Sequence, residues 1–252
     1  MALSHDEAVS AQFSPRANAY VTSPVHAAGE DLDRLETVLK ARRPPRVLDL
    51  GTGGGHVAFR AASYAAEVVA YDLSGAMLAQ VAAEAAKRGH ANIAARQGSA
   101  ESLPFENASF DAVLTRFSAH HWRDVPRALA EARRVLKPGG LAVVIDAVAP
   151  ESQLADTWLQ TLELMRDPSH VRDYRRSEWQ AMLANAGFCR GDSKSFRLRL
   201  EFSSWVARIG TPAPLIAGLR CLQAHAPAEA ASHFALEPDG SFTIDTAMIE
   251  AD

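Results

Sequence analysis

The sequence predicts a doubly wound α/β fold on three observations. Short apolar strands alternate with helical segments between residues 46 and 147, the first strand runs into a glycine cluster, and Leu141 to Ala147 reads as a continuous apolar strand. A run of that last kind is buried on both faces of a parallel sheet.

The elements follow in chain order. Residues 1 to 28 are mixed and carry Pro15 and Pro24, after which Leu32, Leu35, Val38 and Leu39 recur at helical spacing and Pro44-Pro45 stops the helix. Arg46 to Leu50 reads as a buried strand entering a tight turn. His56 to Ala66 is an alanine-rich helix, Glu67 to Tyr71 a second strand, and Ser74 caps a helix to Arg88. Ile93 to Gln97 and Phe110 to Thr115 are further strands, and Val125 to Leu136 is a helix terminated by Lys137-Pro-Gly-Gly140. Beyond Pro150 the alternation weakens. Helices are expected at Leu154 to Met165 and Ser177 to Ala186, a polar loop at Asp167 to Tyr174, strands at Phe196 to Phe202 and Ser241 to Glu250, and helix across residues 203 to 235.

With 252 residues the chain suits one compact domain bearing an insertion rather than two independent domains. Three parts are expected: an N-terminal lid and helix over residues 1–44, a core over 45–150, and closing strands with a helical insertion over 151–252, covering a substrate. A net charge of −4 supplies no general field for nucleic acid or an anionic membrane, and neither is an expected partner. No apolar run approaches the roughly 18 residues of a spanning helix, and Met1 to Ser14 has no apolar leader core, so the expectation is a cytoplasmic monomer or homodimer. Cys189 and Cys221 lack metal-ligand spacing and are expected as buried or semi-buried thiols.

In an open α/β sheet, ligands bind outside the carboxyl ends of the strands where strand order reverses. Asp49-Leu-Gly-Thr-Gly-Gly-Gly55 ends the first strand and is the leading cofactor candidate. A dinucleotide turn would need a third spaced glycine where His56 stands. Asp49 suits a cationic amino group and disfavours a pyrophosphate, so the turn favours S-adenosylmethionine over NAD. Asp72 closes the second strand, where its carboxylate can accept from both ribose hydroxyls; the alternative is a part in capping the helix after Ser74. Leu73 and Met77 can flank an adenine ring, with core packing the alternative for Met77.

Val47 to Gly55, Val68 to Ser74, Gln97 to Phe105, Phe110 to Leu114 and Arg134 to Gly140 resemble, in order and spacing, the class I S-adenosylmethionine-dependent methyltransferases. Within these they look most like the type 11 small-molecule branch that includes the ubiquinone and menaquinone C-methyltransferases. The resemblance covers about residues 45 to 148. It implies a Rossmann-like, seven-stranded, mostly parallel sheet with one antiparallel edge strand and helical additions. It also implies that Asp49, Gly51, Thr52 and Gly53 hold the methionine moiety and Asp72 the ribose. Ser99, Ala100 and Glu101 would lie at the adenine, and Arg116 and Ser118 at the methionine end. Thr52 stands where cysteine is frequent, and Ser99 replaces a common aspartate, so the usual carboxylate contact to the adenine amino group is not implied.

Methyl transfer from a sulfonium is an in-line displacement with an activated leaving group, so orientation and exclusion of water carry much of it. His120 and His121, after the fourth strand, are the candidate bases, the alternative being that one braces the next helix. No third ligand is indicated by spacing, so no metal site is expected. Phe13 to Tyr20 resembles the lid of this branch, with Tyr20 and Arg16 as covering residues and His26 as a possible contributor. Arg166 to Tyr174 is either a loop closing over substrate or a solvated loop capped by Asp167 and Ser169. Trp158, Trp179 and Trp205 fit helical apolar faces. A methyltransferase acting on a small-molecule acceptor is therefore expected, the alternative being a cofactor-binding regulatory or accessory protein without turnover.

Overall fold

A computed structural model describes residues 3–21 and 27–252. Seven strands form one sheet in the order β3-β2-β1-β4-β5-β7-β6. They are β1 (Arg46–Leu50), β2 (Glu67–Asp72), β3 (Ile93–Gln97), β4 (Phe110–Arg116), β5 (Leu136–Ala147), β6 (Arg190–Leu200) and β7 (Phe242–Ala251). The first five are mutually parallel, and β7 runs antiparallel to both neighbours, β5 and the edge strand β6. Strand order reverses between β1 and β4, so the loops after these two strands flank a crevice.

Alternation along the strands divides the core. Leu48, Leu50, Val69 and Tyr71 face α6 (Val125–Val135) and α8 (Arg176–Asn185), where Leu129 and Trp179 are buried. Val47, Val68 and Ala70 face α3 (Glu30–Arg42), α4 (His56–Ala62) and α5 (Gly75–Arg88), whose Leu32, Leu35, Leu39, Val57 and Val81 are buried. A third cluster joins α7 (Gln153–Arg166), α9 (Phe202–Ile209), α10 (Ala213–Ala224) and α11 (Ala228–His233) to the edge strands through Trp158, Phe202, Trp205, Phe234 and Phe242. All three expected tryptophans are core residues.

Several boundaries differ from the sequence reading for physical reasons. Residues 5–13 form α1 (His5–Phe13), started by a capping box in which Glu7 N donates to Ser4 Oγ and Ser4 N to Glu7 Oε2. A short 3₁₀ turn, Ser14–Arg16, leads into α2 (Ala17–Val21). Strand β6 begins before Phe196 because its first half, Arg190-Gly-Asp-Ser-Lys-Ser195, is polar, as an edge strand tolerates. Cys189 and Cys221 are exposed rather than buried, Cys189 just before the edge strand and Cys221 on the outer face of α10. No helix among the described residues is long and apolar enough to cross a membrane.

Candidate functional site

The glycine turn after β1 is built by the groups around it. Gly51 adopts φ 71°, and a Cβ there would lie 1.9 Å from Ser118 Oγ, so the loops after β1 and β4 approach as only glycine permits. Asp49 is buried; its Oδ2 accepts from Thr52 Oγ1 at 2.6 Å and from Ala58 N at 3.0 Å, tying the turn to the first turn of α4. Burial pushes its carboxyl up to about 7. A cationic ligand beside it would favour the ionised form.

Asp72 Oδ2 accepts from Gly53 N at 2.9 Å and Oδ1 from Ser74 N at 2.9 Å, while Ser74 Oγ caps α5 by accepting from Met77 N. Asp72 therefore braces the glycine turn and the start of α5 together, and it also borders the cleft. A cavity of about 690 Å³ has Asp49, Gly51, Thr52, Gly53, Asp72, Met77, Arg116 and Ser118 in its lining. An adjoining one of about 440 Å³ has Leu73, Ser99, Ala100 and Glu101 and shares Gly51, Asp72, Ser118 and His121. Every cofactor residue named from the sequence borders one of these two spaces. Glu101 is engaged elsewhere, accepting from Arg123 Nη2 at 2.6 Å and Asp124 N at 2.9 Å, which anchors the start of α6. Arg116 is ion-paired with Asp31 in a buried contact and stacks on Phe117.

The N-terminal segment covers this cleft. Tyr20 borders it, and the Tyr20 carbonyl accepts from His56 Nε2 at 2.9 Å. Burial favours the neutral form of His56. The residue that replaces a third glycine thus fastens the covering segment to the turn. Gly54 allows the approach, since a Cβ would sit 2.8 Å from the same carbonyl. Ser14 Oγ meets Ser74 Oγ at 2.9 Å, and Phe13 packs edge-on against Tyr20 and His121. Arg16 bonds to Gln12 O and reaches Gly210 rather than bordering the cleft. His26 lies outside the described residues.

A third cavity, about 670 Å³, shares Phe13, Tyr20, Phe117 and His121 with the first and continues to His120, Glu163, Arg166, Asp173, Trp205 and Arg208. His120 Nδ1 donates to Asp146 Oδ1 at 2.6 Å. Burial opposes charge on this imidazole, but Asp146 outweighs it and the pKa is pushed up to about 9. His121 Nδ1 lies 3.1 Å from the Ser169 carbonyl, which can only accept, so this nitrogen carries the proton. Burial, then the charge of His120, holds the His121 pKa well down. The neighbouring rings, with centroids 4.3 Å apart, therefore differ in protonation.

The loop Arg166 to Tyr174 contains the expected Asp167–Ser169 turn but is not solvated, since Asp167, Ser169, His170 and Asp173 are buried. Ser169 N and Oγ donate to Asp167 Oδ1 within a tight turn that presents the Ser169 carbonyl to His121, and Arg166 and Asp173 face the third cavity. Although spacing indicated no third ligand near the histidines, His120, Asp146 and Asp173 offer ligand atoms within 4.8 Å of one another. Sheet topology rather than sequence spacing assembles them. Asp146 already takes three donors, Ala119 N on Oδ2 and Ala147 N as well as His120 Nδ1 on Oδ1, which is the arrangement of a carboxylate orienting an imidazole. Asp146, Glu163, Asp173 and Arg208 were missed. A single aspartate inside the apolar run Leu141 to Ala147 was the available signal for the first.

Comparison with known proteins adds the following. The family model described as "Methyltransferase domain" matches residues 48–144. YafE of Escherichia coli is 47% identical over 80% of this chain and 97% of its own length. The uncharacterized methyltransferase YcgJ of Bacillus subtilis is 39% identical over 80% of this chain and 79% of its own. The crystal structure of YcgJ superimposes with a TM-score of 0.84, covering 88% of this chain and 97% of that one. A demethylmenaquinone methyltransferase of Chlorobaculum tepidum is 37% identical over 45% of this chain and 46% of its own length.

Proposed function

The chain belongs to the class I methyltransferase family, and from that premise we propose that it transfers a methyl group from S-adenosylmethionine to a small-molecule acceptor. The observation that carries this reading is the pair of adjoining cavities that share Phe13, Tyr20, Phe117 and His121. One is bordered by the glycine turn and Asp72, and the other by His120, which is bonded to Asp146. The residues fit the methyl donor: glycine at 51 clears the space a Cβ would fill, and Asp49 and Asp72 offer carboxylates to an amino group and to ribose hydroxyls without a built phosphate cradle. The third cavity, about 670 Å³, favours a small acceptor, and so does the named substrate of the Chlorobaculum relative.

When bound, S-adenosylmethionine supplies an activated methyl group on a sulfonium. The chain supplies orientation and dryness through the lid of Phe13 and Tyr20, fastened at His56. In its neutral form, reached as pH rises through about 9, His120 accepts the acceptor's proton at Nε2, while Asp146 holds Nδ1 and stabilises the imidazolium that forms. Neutral His121 stands at the junction of the two cavities and orients the acceptor. Calorimetry with S-adenosylhomocysteine and with NAD tests the cofactor assignment. Binding of the first and not of the second is expected, and the reverse would sink it.

A further inference from the structure

Arg208 lies in the last turn of α9 and borders the same cavity as His120. It is half-buried, and among the described residues it has no hydrogen bond, ion pair or ring contact. The other arginine there, Arg166, is engaged with Glu163 at 3.5 Å, the Trp205 carbonyl at 3.1 Å and the Trp205 ring. A guanidinium that has lost part of its hydration with no acceptor bonded to it has an unmet requirement that a planar oxyanion meets, and in a cavity also bordered by Glu163 and Asp173 a singly charged carboxylate suits it better than a doubly charged phosphate. The helix end offers it a favourable dipole. Among the described residues, no protein acceptor bonds to it.

The remaining lining is apolar on the edge-strand side, where Leu198, Leu200, Trp205 and Ile244 face the same space. Resting on the methyltransferase reading, we propose that the acceptor is an organic acid whose carboxylate is paired by Arg208 while its apolar body lies against these four side chains. The carboxylate is an anchor. The atom that receives the methyl group is a separate one, presented toward His120 at the other end of the cavity. Two further acids border this space. Glu163 is paired with Arg166, and burial favours the neutral form of Asp173, so neither cancels the attraction of an incoming carboxylate to Arg208.

The test is calorimetry in saturating S-adenosylhomocysteine with benzoate, 4-hydroxycinnamate and decanoate, each beside its methyl ester. At least one acid is expected to bind at least about tenfold more tightly than its ester, the order of one charge-assisted hydrogen-bonded pair. Arg208→Met is expected to abolish that preference while leaving ester and S-adenosylhomocysteine affinities unchanged, and Arg208→Lys to restore part of it. Equal binding of acids and esters, no binding of any acid, or an acid preference that survives Arg208→Met would overturn the proposal. Failure of S-adenosylhomocysteine itself to bind the wild-type protein would instead overturn the methyltransferase reading.

Discussion

His120 Nδ1 and Asp146 Oδ1 lie 2.6 Å apart, which ties the loop after β4 to the carboxyl end of β5 beside the acceptor cavity. With this partner the imidazole holds its proton up to about pH 9. If His120 is the base, kcat/KM rises as pH climbs through about 9, because only the neutral ring can accept a proton. In Asp146→Asn the burial of His120 is opposed only by the weaker attractions of Asp173 and Glu163. The midpoint should move down by more than a unit and kcat fall by about 100-fold or more. A pH–rate profile of both proteins checks this, and an unmoved midpoint would remove the pair from the chemistry.

The same pair predicts the pH dependence of stability. His120 binds its proton more tightly folded than unfolded, so its contribution is fully present below about pH 6.5 and is lost as pH rises through about 9. Asp49 and Asp173 are also raised, and their contributions are lost as pH rises from about 3.8 through about 7 and about 8 respectively, so above about pH 8 His120 dominates. Thermal denaturation without ligand should give a Tm that falls between pH 7 and pH 9. The fall should flatten in Asp146→Asn, and an identical decline in both proteins would contradict the assignment.

Asp72→Ala removes the acceptor of two backbone N–H groups and the carboxylate offered to the ribose. A loss of about 2–3 kcal/mol in S-adenosylhomocysteine affinity is expected for a charged hydrogen-bonding partner. Titration calorimetry reads this directly. Unchanged affinity would leave Asp72 with its bracing role alone.

His56→Ala removes a hydrogen bond to the Tyr20 carbonyl while leaving the glycine turn in place. Stability should fall by about 1 kcal/mol, and S-adenosylhomocysteine should dissociate several-fold faster through a loosened cover. Stopped-flow displacement measures the rate. A slower or unchanged rate would show that the segment around Tyr20 does not gate the cleft.

Much of this arrangement is legible in the sequence, and the reason lies in chain locality. The βαβ alternation, Gly51 and Asp72 fall within one contiguous stretch in which strand, turn and next strand have fixed spacing. The cavity beside His120 is different. His120 meets Asp146 from 26 residues away, and the Ser169 carbonyl meets His121 from 48 away. No local period encodes either contact. Asp146 was hidden by its neighbours, since a strand buried on both faces reads as apolar even when its end carries a carboxylate. Helix α1 was hidden for the opposite reason: with Val9 its only buried residue it has almost no apolar face, and the Ser4–Glu7 capping box was its one clear sign.

The central claim is methyl transfer to a small molecule at the His120–Asp146 end of a cofactor cleft. Its most direct measurement is incubation with S-adenosylmethionine labelled in the methyl group and a metabolite extract, followed by fractionation into small molecules, protein and nucleic acid. The expected result is label in the small-molecule fraction that depends on intact His120, with His120→Gln losing the product but keeping S-adenosylhomocysteine affinity. Binding of S-adenosylhomocysteine with no label in that fraction, or label only in the macromolecular fractions, would contradict it.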